Sequence, residues 1–213
     1  MTMLFRCSGG HHFNTPARES FKFLDNVVER AALSTYLSFP NPIMEVFKRG
    51  PIPPQYQTRF GPPQFIRNPL YVASDIDTTF YEYGFHLLAS KAFDGEELKI
   101  TCFELNCDLA GNISNPTNDQ NSAAILGTTT NYSAAHSWLK ALDPLPDIVE
   151  YPSVRHPSAT PPTSGMNYAI YNQVNIVAVT NQSQQLIRPD QAQGSITVYD
   201  TLSSWMTTLT PRA

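Results

Sequence analysis

Three segments of this 213-residue sequence carry side chains whose types and spacing suit chemistry on a charged substrate. The first is Gln57-Thr58-Arg59-Phe60-Gly61-Pro62-Pro63. An Arg beside an aromatic residue, followed by Gly and two Pro, makes a stiff loop that presents one guanidinium. A fixed guanidinium suits two-point binding of phosphate or carboxylate. Taken alone, a surface Arg in a salt bridge is the simpler reading. The second segment runs from Pro69 to His86. Glu82 and His86 are four residues apart and share a helix face, with Thr78 or Thr79 one turn earlier. Glu82 stands among Phe80, Tyr81, Tyr83 and Phe85, where a carboxylate is costly to bury without a partner. It therefore sits either on a solvated stripe or in a place set for a task. The third segment is Glu150-Tyr151-Pro152-Ser153-Val154-Arg155, followed by Met166–Tyr171. A strand ending in Pro-Ser puts a hydroxyl and an Arg on the next loop. Nothing marks Ser153 as an activated nucleophile; a hydrogen-bonding role, or simple satisfaction of the turn, is the reading it supports.

The elements that would position these groups follow from periodicity and punctuation. Residues 3–7 read as a short strand. Residues 17–37 space their apolar side chains as a helix does. Ser38–Pro63 is a Pro-rich loop with one helical turn at Met44–Lys48. Pro69–Ala73 is a strand, and Ser74–Asp77 begins a helix with a Ser or Asp cap that runs over Thr78–Lys91. Leu98–Leu105 is a second strong strand. Asp108–Thr130 is mostly loop, Tyr132–Leu142 a helix, and Asp147–Tyr151 and Met166–Tyr171 short strands. Val174–Val179 and Ser195–Tyr199 read as paired strands with a polar loop, Asn181–Gln193, between them. Ser203–Leu209 reads as a closing turn of helix. The mixture lacks a regular βαβ rhythm, so the fold class is α+β, a single domain of mainly antiparallel strands with flanking helices.

Composition narrows the possibilities. Charged residues are 15% of the chain, against roughly 25% in ordinary soluble domains, and there are 18 Pro. Twelve Phe, ten Tyr and two Trp supply core material, which argues against disorder. A net charge of −4 argues against a broad basic face for nucleic acid. No apolar run is long enough to span a membrane, and the amino-terminal residues do not form a signal peptide, so a reducing cytoplasm is expected. In that setting the three Asn-X-Ser sequences, at Asn112, Asn131 and Asn181, are coincidental. Three cysteines make no disulfide framework and read as small buried apolar residues; Cys102 and Cys107, five apart on one strand, should face opposite ways. There is no CxxC or HExxH, and the His11-His12 side chains diverge on a strand, so no metal site is expected. GxGxxG, GxxxxGK[ST] and GxSxG are absent too.

Taken in order, Arg59-Phe60, Leu70-Tyr71-Val72-Ala73, the Thr79–His86 stretch with Glu82, and Tyr151-Pro152-Ser153-Val154-Arg155 resemble the RES domain. The family's namesake Arg, Glu and Ser fall on Arg59, Glu82 and Ser153, and its tyrosine on Tyr71. Phe5-Arg6 resembles its opening strand less specifically. The likeness spans roughly residues 4–180 of a domain taken as 1–213, with 181–213 as a C-terminal strand and closing segment. Two departures stand out. Gln57-Thr58 replaces a Gly-Gly or Gly-Ser lead-in, and a Pro- and Ser-rich insert, 156–164, replaces a short Gly-rich turn.

The resemblance implies an ADP-ribosyltransferase-like fold and an NAD⁺-consuming toxin of a toxin–antitoxin pair. Such a protein cleaves the nicotinamide N-glycosidic bond by phosphorolysis or hydrolysis and is neutralised by an Xre-type antitoxin or another protein. It implies Arg59, Tyr71, Glu82 and Ser153 as catalytic residues, and Arg6, Arg59, Tyr71, Ser153 and Arg155 as the binding set for NAD⁺. NAD⁺ is then substrate rather than cofactor, inorganic phosphate a possible second substrate, and neither metal nor membrane is involved. The chemistry is coherent. Nicotinamide leaves as a neutral group without prior protonation, and an oxocarbenium-like centre at the ribose favours a nearby carboxylate. Two other readings share these residues: a protein ADP-ribosyltransferase, and a binding module without activity.

Overall fold

The computed structural model describes residues 1–9, 41–48, 51–52, 54, 57–65, 67–90, 93–127, 131–158, 164–200 and 206–212. The helix expected over 17–37, the His11-His12 pair and the middle of the 156–164 insert lie outside them. The apolar run Met3-Leu4-Phe5, followed by alternation through Arg6-Cys7-Ser8, gives β1 (Thr2–Gly9), and Pro42 in the first turn starts α1 (Asn41–Lys48). β2 (Leu70–Ala73) leads into α2 (Ile76–Ser90), and β3 (Leu98–Cys107) follows. The stretch expected to be mostly loop holds β4 (Ile113–Ser114), a 3₁₀ turn at Pro116–Asn118 and α3 (Ser122–Ile125). Then come α4 (Ser133–Ala141), β5 (Ile148–Pro152), β6 (Met166–Ile170), β7 (Ile176–Asp190), β8 (Ser195–Asp200) and β9 (Met206–Leu209).

The strands form one sheet in the order β4-β5-β6-β2-β1-β3-β7-β8-β9, antiparallel throughout except for β4 beside β5. The α+β class with mainly antiparallel strands is therefore what the chain adopts. Three local expectations are corrected. Asn181–Gln193 is not a loop as far as Asp190, because β7 continues through it against β3, from Leu98↔Ile187 to Cys107↔Ile176. Its polar side chains are compatible with a strand because much of β7 is exposed, and the main chain supplies the pairing. β8 accordingly pairs with Gln185–Asp190 and not with Val174–Val179. Met206–Leu209 is an edge strand on β8 rather than a helical turn; Thr207 and Thr208 are β-branched and fit the pleat.

Alternation along the strands builds a core on each face. Leu4, Leu70, Val72, Phe103, Leu105, Ile148 and Ile170 pack on one face beneath Ile43 and Val46 of α1. The other face carries two separate clusters. One lies under α2 and joins Phe80 and Leu87 to Cys7, Ile100, Cys102, Ile187, Ile196 and Val198. The other lies under α4 and joins Leu139 and Ala135 to Phe60, Val149, Tyr151 and Tyr171. Cys102 and Cys107 fall on opposite faces, as their spacing requires, and all three cysteines are buried thiols. Cys7 and Cys102 are directly opposed on β1 and β3, their sulfurs 2.8 Å apart, and burial pushes the Cys7 thiol well above its ordinary range.

The sheet is loosely closed at one line. β1 pairs with β3 along its whole length but meets β2 only at Phe5↔Ala73. This line separates the two clusters on the helix-covered face, and the gap above it is the cleft described below. α2 approaches the sheet closely because residue 84 is Gly: a Cβ there would overlap the fully buried Ile196 side chain, whose Cγ1 and Cγ2 would lie 3.1 Å away. Gly84→Ala is therefore expected to destabilise the protein by about 1–2 kcal/mol, overpacking outweighing the helix-propensity gain. Trimming the neighbour in Gly84→Ala/Ile196→Val should recover part of the loss, read from urea unfolding midpoints.

Candidate active site

The position of Glu82 is set by a chain of local fixings. Asp75 caps α2: its Oδ1 accepts from the Thr78 amide at 2.8 Å and from the Thr78 hydroxyl at 2.7 Å. Its Oδ2 accepts from the Ser74 hydroxyl at 2.7 Å and from the Gly165 amide at 2.9 Å. Burial pushes the Asp75 carboxyl upward, but these bonds outweigh it and hold its pKa below the usual range. Ser74 also exchanges main-chain and side-chain bonds with Met166 at the start of β6. The start of the helix is thus pinned to the start of the strand that carries Asn167.

Two turns along α2, Glu82 meets the groups this pinning brings to it. Its Oε1 accepts from the Ser153 hydroxyl and from the Asn167 side-chain amide, each at 2.7 Å. Ser153 and Asn167 are buried, and no bond to a described residue engages Oε2. The Ser153 oxygen also accepts from the amides of Arg155 and His156, both at 3.2 Å, and so closes the turn after β5. Both readings of this serine hold at once: it satisfies a turn, and it holds the carboxylate.

Arg59 is at the tip of a tight turn in which Thr58 and Gly61 exchange two main-chain bonds of 3.1 Å. Fully buried Phe60 anchors that turn, edge-on to Tyr151 with ring centres 4.8 Å apart. The Tyr71 hydroxyl accepts from the Phe60 amide at 2.9 Å and bonds the Thr58 hydroxyl at 2.8 Å. Thr58, beside the turn's arginine, is thus part of the anchor. Burial raises the Tyr71 hydroxyl's pKa well above its ordinary value, so it stays protonated. The Arg59 guanidinium donates to the Ile125 carbonyl at 2.9 Å and lies over the Tyr132 ring, 5.6 Å from its centre.

These parts enclose a cleft of about 270 Å³. Its floor includes Phe5, Ala73, Asn167 and Tyr151, a row of directly opposed residues across β1, β2, β6 and β5. Arg6, Arg59, Tyr71, Glu82 and Arg155 all line it. The guanidinium and carboxylate expected to meet do share one cavity. Ser153 is the exception among the expected residues: it stands behind Glu82 and does not line the cleft. Arg6 borders the cleft while donating to the Tyr71 carbonyl at 2.7 Å. Arg155 is buried, its guanidinium 3.4 Å over the centre of the Phe85 ring.

Asn167 is the important residue that motif reasoning passed over. A polar amide in the otherwise apolar run Met166-Asn167-Tyr168-Ala169-Ile170 is the signal that could have found it. His86 lines the cleft one turn beyond Glu82. Desolvation by the surrounding protein lowers its pKa; Glu82 opposes that shift, and Arg155 and Arg59 add to it. The other two histidines of this region are structural. His136 donates to the Thr58 carbonyl at 2.8 Å. His156 stacks on Tyr81 and bonds the Thr78 hydroxyl at 3.0 Å. The Thr78 proton goes to Asp75, so Nδ1 of His156 carries the proton in that bond. His156 is close to Ser153 in sequence, but its ring is turned away to α2 and does not activate the serine.

Among the described residues no cluster of His, Cys, Asp and Glu has the composition of a metal site, and no helix is long and apolar enough to cross a membrane. A family model described as RES domain matches residues 30–191. No curated protein matches the chain. Tyr71→Phe removes both bonds that fasten the Arg59 turn to β2. It is expected to cost about 1–3 kcal/mol of stability, measured by chemical denaturation.

Proposed function

The chain belongs to the RES domain family, and from that premise we propose that it cleaves the nicotinamide–ribose bond of NAD⁺. The observation that carries this reading is the Glu82 carboxylate, held through Oε1 with no described residue bonded to Oε2, in one cleft that Arg59 and Arg155 also line. In this reading the cations bind the diphosphate and so set the direction of the dinucleotide. Arg59 already has one donor on a carbonyl, and its remaining donors can take phosphate oxygens. The Tyr71 ring packs on the nicotinamide end, while its hydroxyl stays with the Arg59 turn.

Glu82 then acts electrostatically. As the C–N bond lengthens, positive charge develops on the ribose ring, and nicotinamide leaves with the bonding electron pair as a neutral molecule. A carboxylate fixed beside that charge stabilises it without having to reorganise. Oε2 also accepts from a ribose hydroxyl, which holds the sugar in line. Ser153 and Asn167 are positioning residues: they spend the Oε1 lone pairs and fix the plane of the carboxylate. Water or inorganic phosphate completes the reaction at the same carbon and gives up a proton. The products are ADP-ribose or its 1″-phosphate.

NAD⁺ depletion by such a reaction would be toxic in the cytoplasm, and a neutralising protein, of Xre type in the pairs this family forms, belongs to the same proposal. Purified protein incubated with NAD⁺ is expected to release nicotinamide. Glu82→Gln keeps the shape but loses the charge, and should slow release by about 10²–10³-fold. Running the reaction with and without phosphate separates the two small-molecule acceptors. Intact NAD⁺ after prolonged incubation of the wild type would reject the proposal, and label transferred onto protein would replace it with the ADP-ribosyltransferase reading.

A further inference from the structure

The family match ends at residue 191, yet the chain beyond it returns to elements that line the cleft. β8 places Ile196 against Gly84, two residues from Glu82 on α2. β9 buries Leu209 in the same cluster, and Pro211 is buried as well. The tail then reaches the loop that carries Arg155. The Arg212 amide donates to the Arg155 carbonyl at 3.0 Å, and the Arg155 guanidinium donates back to the Arg212 carbonyl at 3.3 Å. The Arg212 side chain donates to the Pro157 carbonyl at 2.6 Å.

We propose that Arg212 is a positioning residue of the cleft: it acts through Arg155 and never touches the substrate. The inference rests on the functional reading above and extends it to a residue outside the family's match. The argument is geometric. Arg155 is held from one side by the Phe85 ring and from the other by the Arg212 carbonyl. Arg is a rotamer-rich side chain, and each contact that orders it beforehand reduces the entropy lost when a phosphate binds. The Arg212 guanidinium fixes where its own carbonyl stands by clamping Pro157, two residues past Arg155. Arg212 itself is exposed, so removing its side chain opens no cavity in the core.

Because Arg155 binds phosphate in the substrate and not the reacting carbon, the effect should fall on binding. Arg212→Ala is expected to raise the KM for NAD⁺ about five- to tenfold with kcat changed less than about twofold. Arg212→Lys, which can still donate to the Pro157 carbonyl, should restore KM to within about twofold of wild type. Hydrogen exchange gives a readout independent of turnover. The Arg155 and His156 amides should exchange about tenfold faster in Arg212→Ala, a loosening of the size a lost charged hydrogen bond allows. Unchanged exchange at both amides would overturn the inference. So would faster exchange with an unchanged KM, or a KM defect that the Lys variant does not relieve. A wild type without activity would sink the functional reading instead, and the exchange comparison alone would then decide the tail's role.

Discussion

A half-buried carboxylate in an apolar stretch of helix is the constraint on which the rest of this site depends. Glu82 cannot be stripped of water without replacing the hydrogen bonds it loses. Both replacements come from far along the chain, Ser153 at a separation of 71 residues and Asn167 at 85. Each is in turn fixed by its own surroundings. Ser153 closes the turn after β5, and Asn167 sits in a strand whose other side chains are apolar and buried. The Asp75 cap then sets where α2 begins, so the register between carboxylate and partners is determined before any ligand arrives. Moving any one of these parts would leave a buried polar group unpaired, which makes the arrangement stiff.

The cleft itself comes from a weakness in the sheet. Where β1 and β2 meet at a single position, neither the helix α2 nor the helix α4 covers the strands completely. Their two apolar clusters stop on either side of the line. The cavity opens along this line, lined partly by cluster members such as Cys7 and Tyr151, and the row of four residues on its floor follows from direct register rather than from any sequence motif. The polar groups that do chemistry in our reading therefore border two hydrophobic clusters, where electrostatic interactions weaken less with distance than in water. The aromatic faces under Arg59 and Arg155 add to this by seating each cation without neutralising it.

Much of this was legible in the residues alone. Ser74-Asp75 announced the helix start, and the alternation in Leu98–Leu105 announced a strong strand. Gly61 and the prolines announced the rigid turn at Arg59. These signals survive because capping, pleating and tight turns are decided within a few residues. The reading failed where partners decide. Asn181–Gln185 looks like loop by composition, yet a neighbouring strand already in place recruits it through main-chain bonds that do not depend on side-chain polarity. The same holds for Met206–Leu209, which β8 draws into the sheet edge as β9.

Residue order and type were enough for the helix that bears Glu82, the turn that bears Arg59, the α+β class and membership of the RES family. That Ser153 stands behind the carboxylate and not in the cleft emerged only from the packed chain. It alone showed that Asn167 completes the carboxylate's bonds and that the tail at Arg212 closes on Arg155. The reason is one of range. Local backbone preferences act over a turn or two of chain, whereas a hydrogen bond between distant side chains exists only once packing has brought its two ends within 3 Å.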